Sequence, residues 1–133
     1  MNLTELFAGC RTYRRFQQKP VPRAVVERML DNARQANSAA NAQPVRYTAV
    51  LDPALATQMQ PLVKWAAYLP PEQGVPKPEE QPTAFIAVLQ DTRLPGCSDV
   101  DVGLALGSLT AAAWAHGVGS CIMGAIDRLS LIH

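Results

Sequence analysis

"VDVGLALGSLTAAAWAH", residues 100–116, decides how this chain is built. The run is apolar almost all round and rich in small residues: Gly103, Ala105, Gly107, Ser108, Ala111, Ala112 and Ala113. A surface helix carries a polar face, so a helix that is apolar on every side has to be enclosed. Ser98 or Asp99 can cap its start with a side-chain oxygen. Gly117 can end it, since glycine takes the left-handed cap without a steric cost. Asp101, Ser108, Thr110 and His116 interrupt the run, whereas a membrane span needs roughly 20 predominantly apolar residues. The stretch therefore reads as a core or interface helix. Its small side chains let a second helix or a second subunit come close.

The neighbouring segments alternate between strand and helix. "GVGSCIMGAID", residues 117–127, reads as a loop leading into a short strand. "TAFIAVLQD", residues 83–91, is a continuous apolar strand of the kind buried on both faces. "RYTAVLD", residues 46–52, is rich in β-formers. Val25, Val26, Met29, Leu30 and Ala33 fall at helical spacing, with Glu27, Arg28, Asp31 and Arg34 turned outward. That helix can begin at Pro22, whose missing N–H is not needed there, and runs to about Ala36. Pro53 opens a second helix, expected through Leu69 and disturbed at Pro61. "PPEQGVPKPEEQP", residues 70–82, has five prolines and reads as a loop or lid. At the start, "LTELFAG" places Leu3, Leu6 and Phe7 on one side of a short helix. The basic segment after it is extended near Lys19, because Pro20 disfavours helix there. Such mixing implies an α+β or α/β sandwich with helices around a central sheet. At 133 residues the chain suits one domain, residues 1–133.

Composition narrows the function. The chain is 48% hydrophobic with a formal net charge of +1, which gives no general argument for nucleic acid or an anionic membrane. Cys10, Cys97 and Cys121 show neither metal nor redox spacing, and their odd number points to a reducing compartment. With no secretory pattern at the N-terminus, the expected location is cytoplasmic. Neither His116 nor His133 sits in a nucleophile, metalloprotease or paired-cysteine motif. If the protein is an enzyme, its chemistry belongs to a cofactor.

Three pieces can meet such a cofactor. In "RTYRR", Arg11, Arg14 and Arg15 flank Thr12 and Tyr13. Guanidinium groups match phosphate oxygens and a hydroxyl adds a donor, although a basic run also pairs with surface carboxylates. In "RQANSAANAQP", residues 34–44, small side chains leave room for a flat heterocycle. Asn37, Ser38 and Asn41 offer donors and acceptors at its rim, although the same residues also make ordinary turns. In "GVGSCIMGAI", the glycines permit close backbone approach, so that an N–H of Gly124 or Ala125 can point into a pocket. A dinucleotide fingerprint is excluded, because the strand, glycine and helix order is missing.

Taken in order, "CRTYRRFQQKPVP", "LDNARQANSAANAQPVRYTAVLD" and "DVGLALGSLTAAAWAHGVGSCIMGAID" resemble the nitroreductase family of FMN-dependent oxidoreductases. The resemblance covers nearly the whole chain. It implies an α+β sandwich, with a mostly antiparallel central sheet flanked by helices and a long buried helix at the dimer interface. It also implies FMN as cofactor, held at its phosphate and ribityl chain by Arg11, Thr12 and Arg14. Asn37, Ser38, Ala39 and Asn41 would line the ring, usually from the partner subunit. Met123 would lie beside the ring, and Gly124 and Ala125 would supply an N–H to flavin N5. Many members carry a basic residue where this chain has Cys10, and proline where it has Asn37. Relatives usually continue well past the position of His133.

The activity implied is transfer of hydride from NAD(P)H through the flavin to a nitroaromatic, a quinone or a similar acceptor, in a homodimer. The alternatives are an FMN-binding or storage protein without turnover, and a dimer that has lost flavin. Ala112→Glu is expected to break the dimer.

Overall fold

The computed structural model describes residues 1–66, 68–94 and 99–132. Ser98, Cys97 and His133, which figure in the sequence reading, lie outside the described residues. The order is α1 (Leu3–Gly9), α2 (Arg23–Arg34), β1 (Val45–Val50), α3 (Pro53–Met59), α4 (Pro71–Gly74), β2 (Phe85–Gln90), α5 (Asp99–Ala115) and α6 (Arg128–Ile132). The architecture is α+β: helices and a small antiparallel sheet. Among the described residues no helix is long and apolar enough to cross a membrane.

The core forms where α2 crosses α5. Val26, Met29 and Ala33 are the buried stripe of α2, at the expected spacing. Met29 and Ala33 meet Leu109, Ala112 and Ala113 of α5, and Tyr47 and Ile86 close the cluster from the sheet. α2 stops at Arg34, two residues short of the expected end. α5 ends as the sequence implies: Gly117 takes φ +74°, and the Val118 N–H reaches back to the Ala113 carbonyl at 2.9 Å. Asn2 starts α1 with a reciprocal capping box to Glu5. Leu3 and Phe7, however, are exposed, so the described residues leave much of the apolar side of α1 uncovered.

Two expectations are corrected. The helix from Pro53 ends at Met59 rather than running to Leu69. Asp52 caps it with a 3.0 Å bond from the Leu55 N–H, but Pro61 offers no N–H to continue the ladder. Val63 instead forms an antiparallel bridge with Ile126. The second correction is β2, which is not buried on both faces. Among the described residues it pairs only with β1, antiparallel, with Val45 opposite Gln90 and Val50 opposite Phe85. Its first residues are half-buried, while Leu89 and Gln90 are exposed. One neighbouring strand and one layer of helix cannot cover both sides of so apolar a strand.

Just past β2, Asp91 accepts from Arg93 Nε and Nη2, both at 2.8 Å, with Arg46 at 3.7 Å. The hydrogen bond from Arg93 is the main reason its carboxyl drops from 3.8 to about 2. A depressed carboxyl stabilises the fold above its ordinary pKa and loses that contribution as pH falls through its folded value. Thermal melting between pH 4 and pH 2 should therefore fall less steeply in Asp91→Asn than in the wild type. Parallel profiles would show that this ion cluster adds nothing to the fold.

Candidate functional site

The segment after α1 is fixed by two close contacts. Tyr13 stacks on Trp114 of α5, with ring centroids 5.2 Å apart and planes 14° from parallel. Only glycine fits on either side of this stack. A Cβ at Gly9 would overlap the Trp114 indole, and one at Gly119 would come within 2.9 Å of the Tyr13 ring. Tyr13 donates its N–H to the Ser120 carbonyl at 3.0 Å, and Thr12 forms a parallel bridge with Ser120. The first and third sequence pieces thus become two adjacent strands of backbone.

Their junction opens a cleft of about 280 Å³, lined by Cys10, Arg11, Thr12, Thr110, Ser120 and Ile122. Arg11 is exposed and donates to the Phe7 carbonyl at 3.2 Å. Arg14 is half-buried, and among the described residues no carboxylate pairs with it. Its positive charge reaches Cys121, where it partly opposes the burial that pushes that thiol up. Arg15 differs, because it is paired with Glu80 at 2.9 Å. Thr110 and Ser120 were not singled out from the sequence. Thr110 is hidden in an apolar helix, and its hydroxyl proton goes to the Leu106 carbonyl at 3.0 Å. It presents only lone pairs outward.

Beyond Ser120, Met123 is half-buried with its sulfur 3.5 Å from that of Cys121. Gly124 is exposed, with open space where a Cβ would stand. Ala125 is tied down by its carbonyl, which accepts from the Lys64 N–H at 2.9 Å. Among the described residues the Gly124 and Ala125 N–H groups have no acceptor.

The second piece lies elsewhere. Asn37 and Ser38 line a separate cleft of about 210 Å³ with Tyr47, Asp101 and Ala105, while Ala39 and Asn41 are exposed beside it. The chain does not bring these four residues into the Arg11 cleft. Their loop is strained: Ala40, Asn41 and Gln43 have φ of 50°, 54° and 48°, in the region that favours glycine. Buried Asp101 braces it by accepting the Ala39 N–H at 2.8 Å. The Ser38 hydroxyl accepts the Gln43 N–H at 2.9 Å. Ala40→Gly should relieve the strain and stabilise the protein by about 1 kcal/mol, read as a higher Tm. An unchanged or lower Tm would mean that the loop carries no such strain.

The basic segment and the loop that follows α5 thus share one cleft. The model of the Nitroreductase family matches residues 8–133. The chain belongs to the nitroreductase family. No curated protein matches it. Among solved structures, a nitroreductase family protein from Clostridium novyi NT aligns with TM-score 0.79 at 17% identity, over 98% of this chain and 74% of its own. A Bacteroides thetaiotaomicron protein with the provisional name NADH dehydrogenase/NAD(P)H nitroreductase gives TM-score 0.70 at 20% identity, over 87% of this chain. The present chain spans 63% of that protein's length. Iodotyrosine deiodinase, solved with FMN and 3-iodo-L-tyrosine, gives TM-score 0.70 at 24% identity, over 89% of this chain and 72% of its own. These likenesses fix the nitroreductase fold.

Proposed function

We propose that this nitroreductase family member is an FMN-dependent oxidoreductase that passes hydride from NAD(P)H to a nitroaromatic, quinone or similar acceptor. One observation carries the reading: the Thr12–Ser120 bridge joins the basic segment and the glycine-containing loop into one cleft. The donor set there suits a phosphate monoester. Arg11, Thr12 and Ser120 line the cleft with a guanidinium and two hydroxyls, and Arg14, whose charge reaches Cys121 next to Ser120, adds a second guanidinium. The lone pairs of Thr110 suit a ribityl hydroxyl. Gly124 leaves room for a flat ring, with Met123 beside it. The N–H groups of Gly124 and Ala125 are the candidates to face N5 and steady charge that develops there. Bound FMN would supply the hydride chemistry at N5, so no side-chain acid or base is required.

The reading includes a homodimer. Asn37, Ser38, Ala39 and Asn41 sit apart from the cleft of their own chain, so they line the ring only if they come from a partner subunit. The open face of α5 supports the same arrangement. The unbroken match over residues 8–133 supports one domain. The free thiols of Cys10 and Cys121 support a reducing cytoplasm.

The test is the visible spectrum of protein loaded with FMN and desalted, then given NADPH or NADH without oxygen. A retained flavin band that bleaches is expected. A band that neither donor bleaches would leave an FMN-binding protein without turnover, and no retained band would overturn the cofactor assignment.

A further inference from the structure

Arg15 belongs to the same basic run as Arg11 and Arg14, but its guanidinium is engaged on the proline-rich segment 70–82. Its Nε lies 2.9 Å from Glu80 Oε2, its Nη2 donates to the Gln73 carbonyl at 2.8 Å, and its Nη1 donates to the Arg14 carbonyl at 3.1 Å. The contact continues along the chain. The Phe16 N–H donates to the Glu80 carbonyl at 2.9 Å, Gln18 Nε2 to the Gln81 carbonyl at 2.9 Å, and Thr83 Oγ1 to the Lys19 carbonyl at 3.1 Å. Residues 12–13 are therefore held by Ser120, and residues 15–19 by segment 73–83. Arg14 stands between the two sets of anchors.

We propose that Arg15 is a positioning residue: paired with Glu80, it fastens segment 70–82 as a strap over residues 15–19 and so holds Arg14 and Thr12 in place for the FMN phosphate. This rests on the FMN reading above. The opposite assignment, in which Arg15 touches the phosphate itself, makes a different prediction for Glu80. A carboxylate competing for a phosphate-binding arginine weakens anion binding, so removing its charge would tighten FMN. A carboxylate that pins the strap strengthens FMN binding, so removing its charge weakens it.

The experiment compares Arg15→Gln, Glu80→Gln, the double variant and the control Glu79→Gln in the full chain. FMN and riboflavin affinities are read from flavin fluorescence, and exposure of segment 70–82 from limited proteolysis of the apoprotein. Each single variant is expected to weaken FMN by about tenfold, within the usual range of coupling between sites, and riboflavin by less. The double variant should be no worse than Arg15→Gln alone, because that substitution already removes the pair with Glu80. Both singles should speed cleavage within 70–82, while Glu79→Gln changes neither readout. Unchanged or tighter FMN binding in Glu80→Gln would overturn the proposal, as would an equal effect of Glu79→Gln. If the wild type binds no FMN, the reading of the cofactor fails, and proteolysis alone decides the strap. Faster cleavage in both singles keeps the Arg15–Glu80 pin, and unchanged cleavage removes it.

Discussion

Replacing Arg14 by alanine should weaken FMN binding by about 10- to 100-fold, with a much smaller effect on riboflavin. A hydrogen bond to a charged group contributes about 1.5–3 kcal/mol, and about 1.4 kcal/mol is tenfold in affinity. Of the three arginines, Arg15 is committed to Glu80 and Arg11 is exposed. Arg14 combines partial burial with the absence of any carboxylate partner among the described residues. A guanidinium held partly out of water is poised for an anion that the chain itself does not provide. The substitution removes no core contact, so the apoprotein should melt at an unchanged temperature. Cys121 gives an independent check. Arg14 lowers the pKa of that thiol against the effect of burial, so its removal lets the pKa rise. Alkylation of Cys121 at a fixed pH should then slow, because less thiolate is present. Equal affinity of wild type and variant for FMN would take Arg14 out of the phosphate site.

What the sequence discloses follows from how local each signal is. α2 was legible within two residues because its apolar stripe has a single direction, and the end of α5 because Gly117 is a local cap. α5 is harder in one respect. A helix that is apolar all round does not announce which side faces which neighbour. Ala112 shows the consequence: the sequence suggests an interface position, but Ala112 is buried against α2 in the core. Ala112→Glu would therefore unfold the chain rather than test a dimer. The helix expected through Leu69 failed for a non-local reason, since Val63 pairs with Ile126 across the fold. β2 shows that composition reports how apolar a strand is and not how many neighbours cover it. In the site, Arg11, Thr12 and the 117–125 loop were legible as motifs, but their joining through Ser120 was not. The left-handed backbone at Ala40 and Gln43 was also hidden, because neither residue type signals a positive φ.

Gly107→Glu should convert the proposed dimer to a monomer without unfolding the chain. One side of α5 carries Ala105, Leu109, Ala112 and Ala113, all buried. The other carries Val100 and Leu104, 69% and 46% exposed, with Gly103 and Gly107 beside them and open space where a Cβ would stand. Within one chain a glutamate at 107 points into that space, and replacing glycine inside a helix adds up to about 1 kcal/mol of stability. If a second copy covers the face, the new carboxylate is buried without a partner. That costs several kcal/mol, enough to weaken association by about 100-fold or more. Sedimentation velocity reads the change directly, and circular dichroism shows whether the helices survive. An intact dimer would put the interface on another face. Flavin retention adds a further reading, since the proposed site takes Asn37, Ser38, Ala39 and Asn41 from the partner. The monomeric variant should lose FMN together with its partner, even though Arg11, Thr12 and Arg14 are untouched. A monomer that retained FMN at wild-type affinity would show that one chain holds the cofactor alone, and that the strained loop serves another purpose.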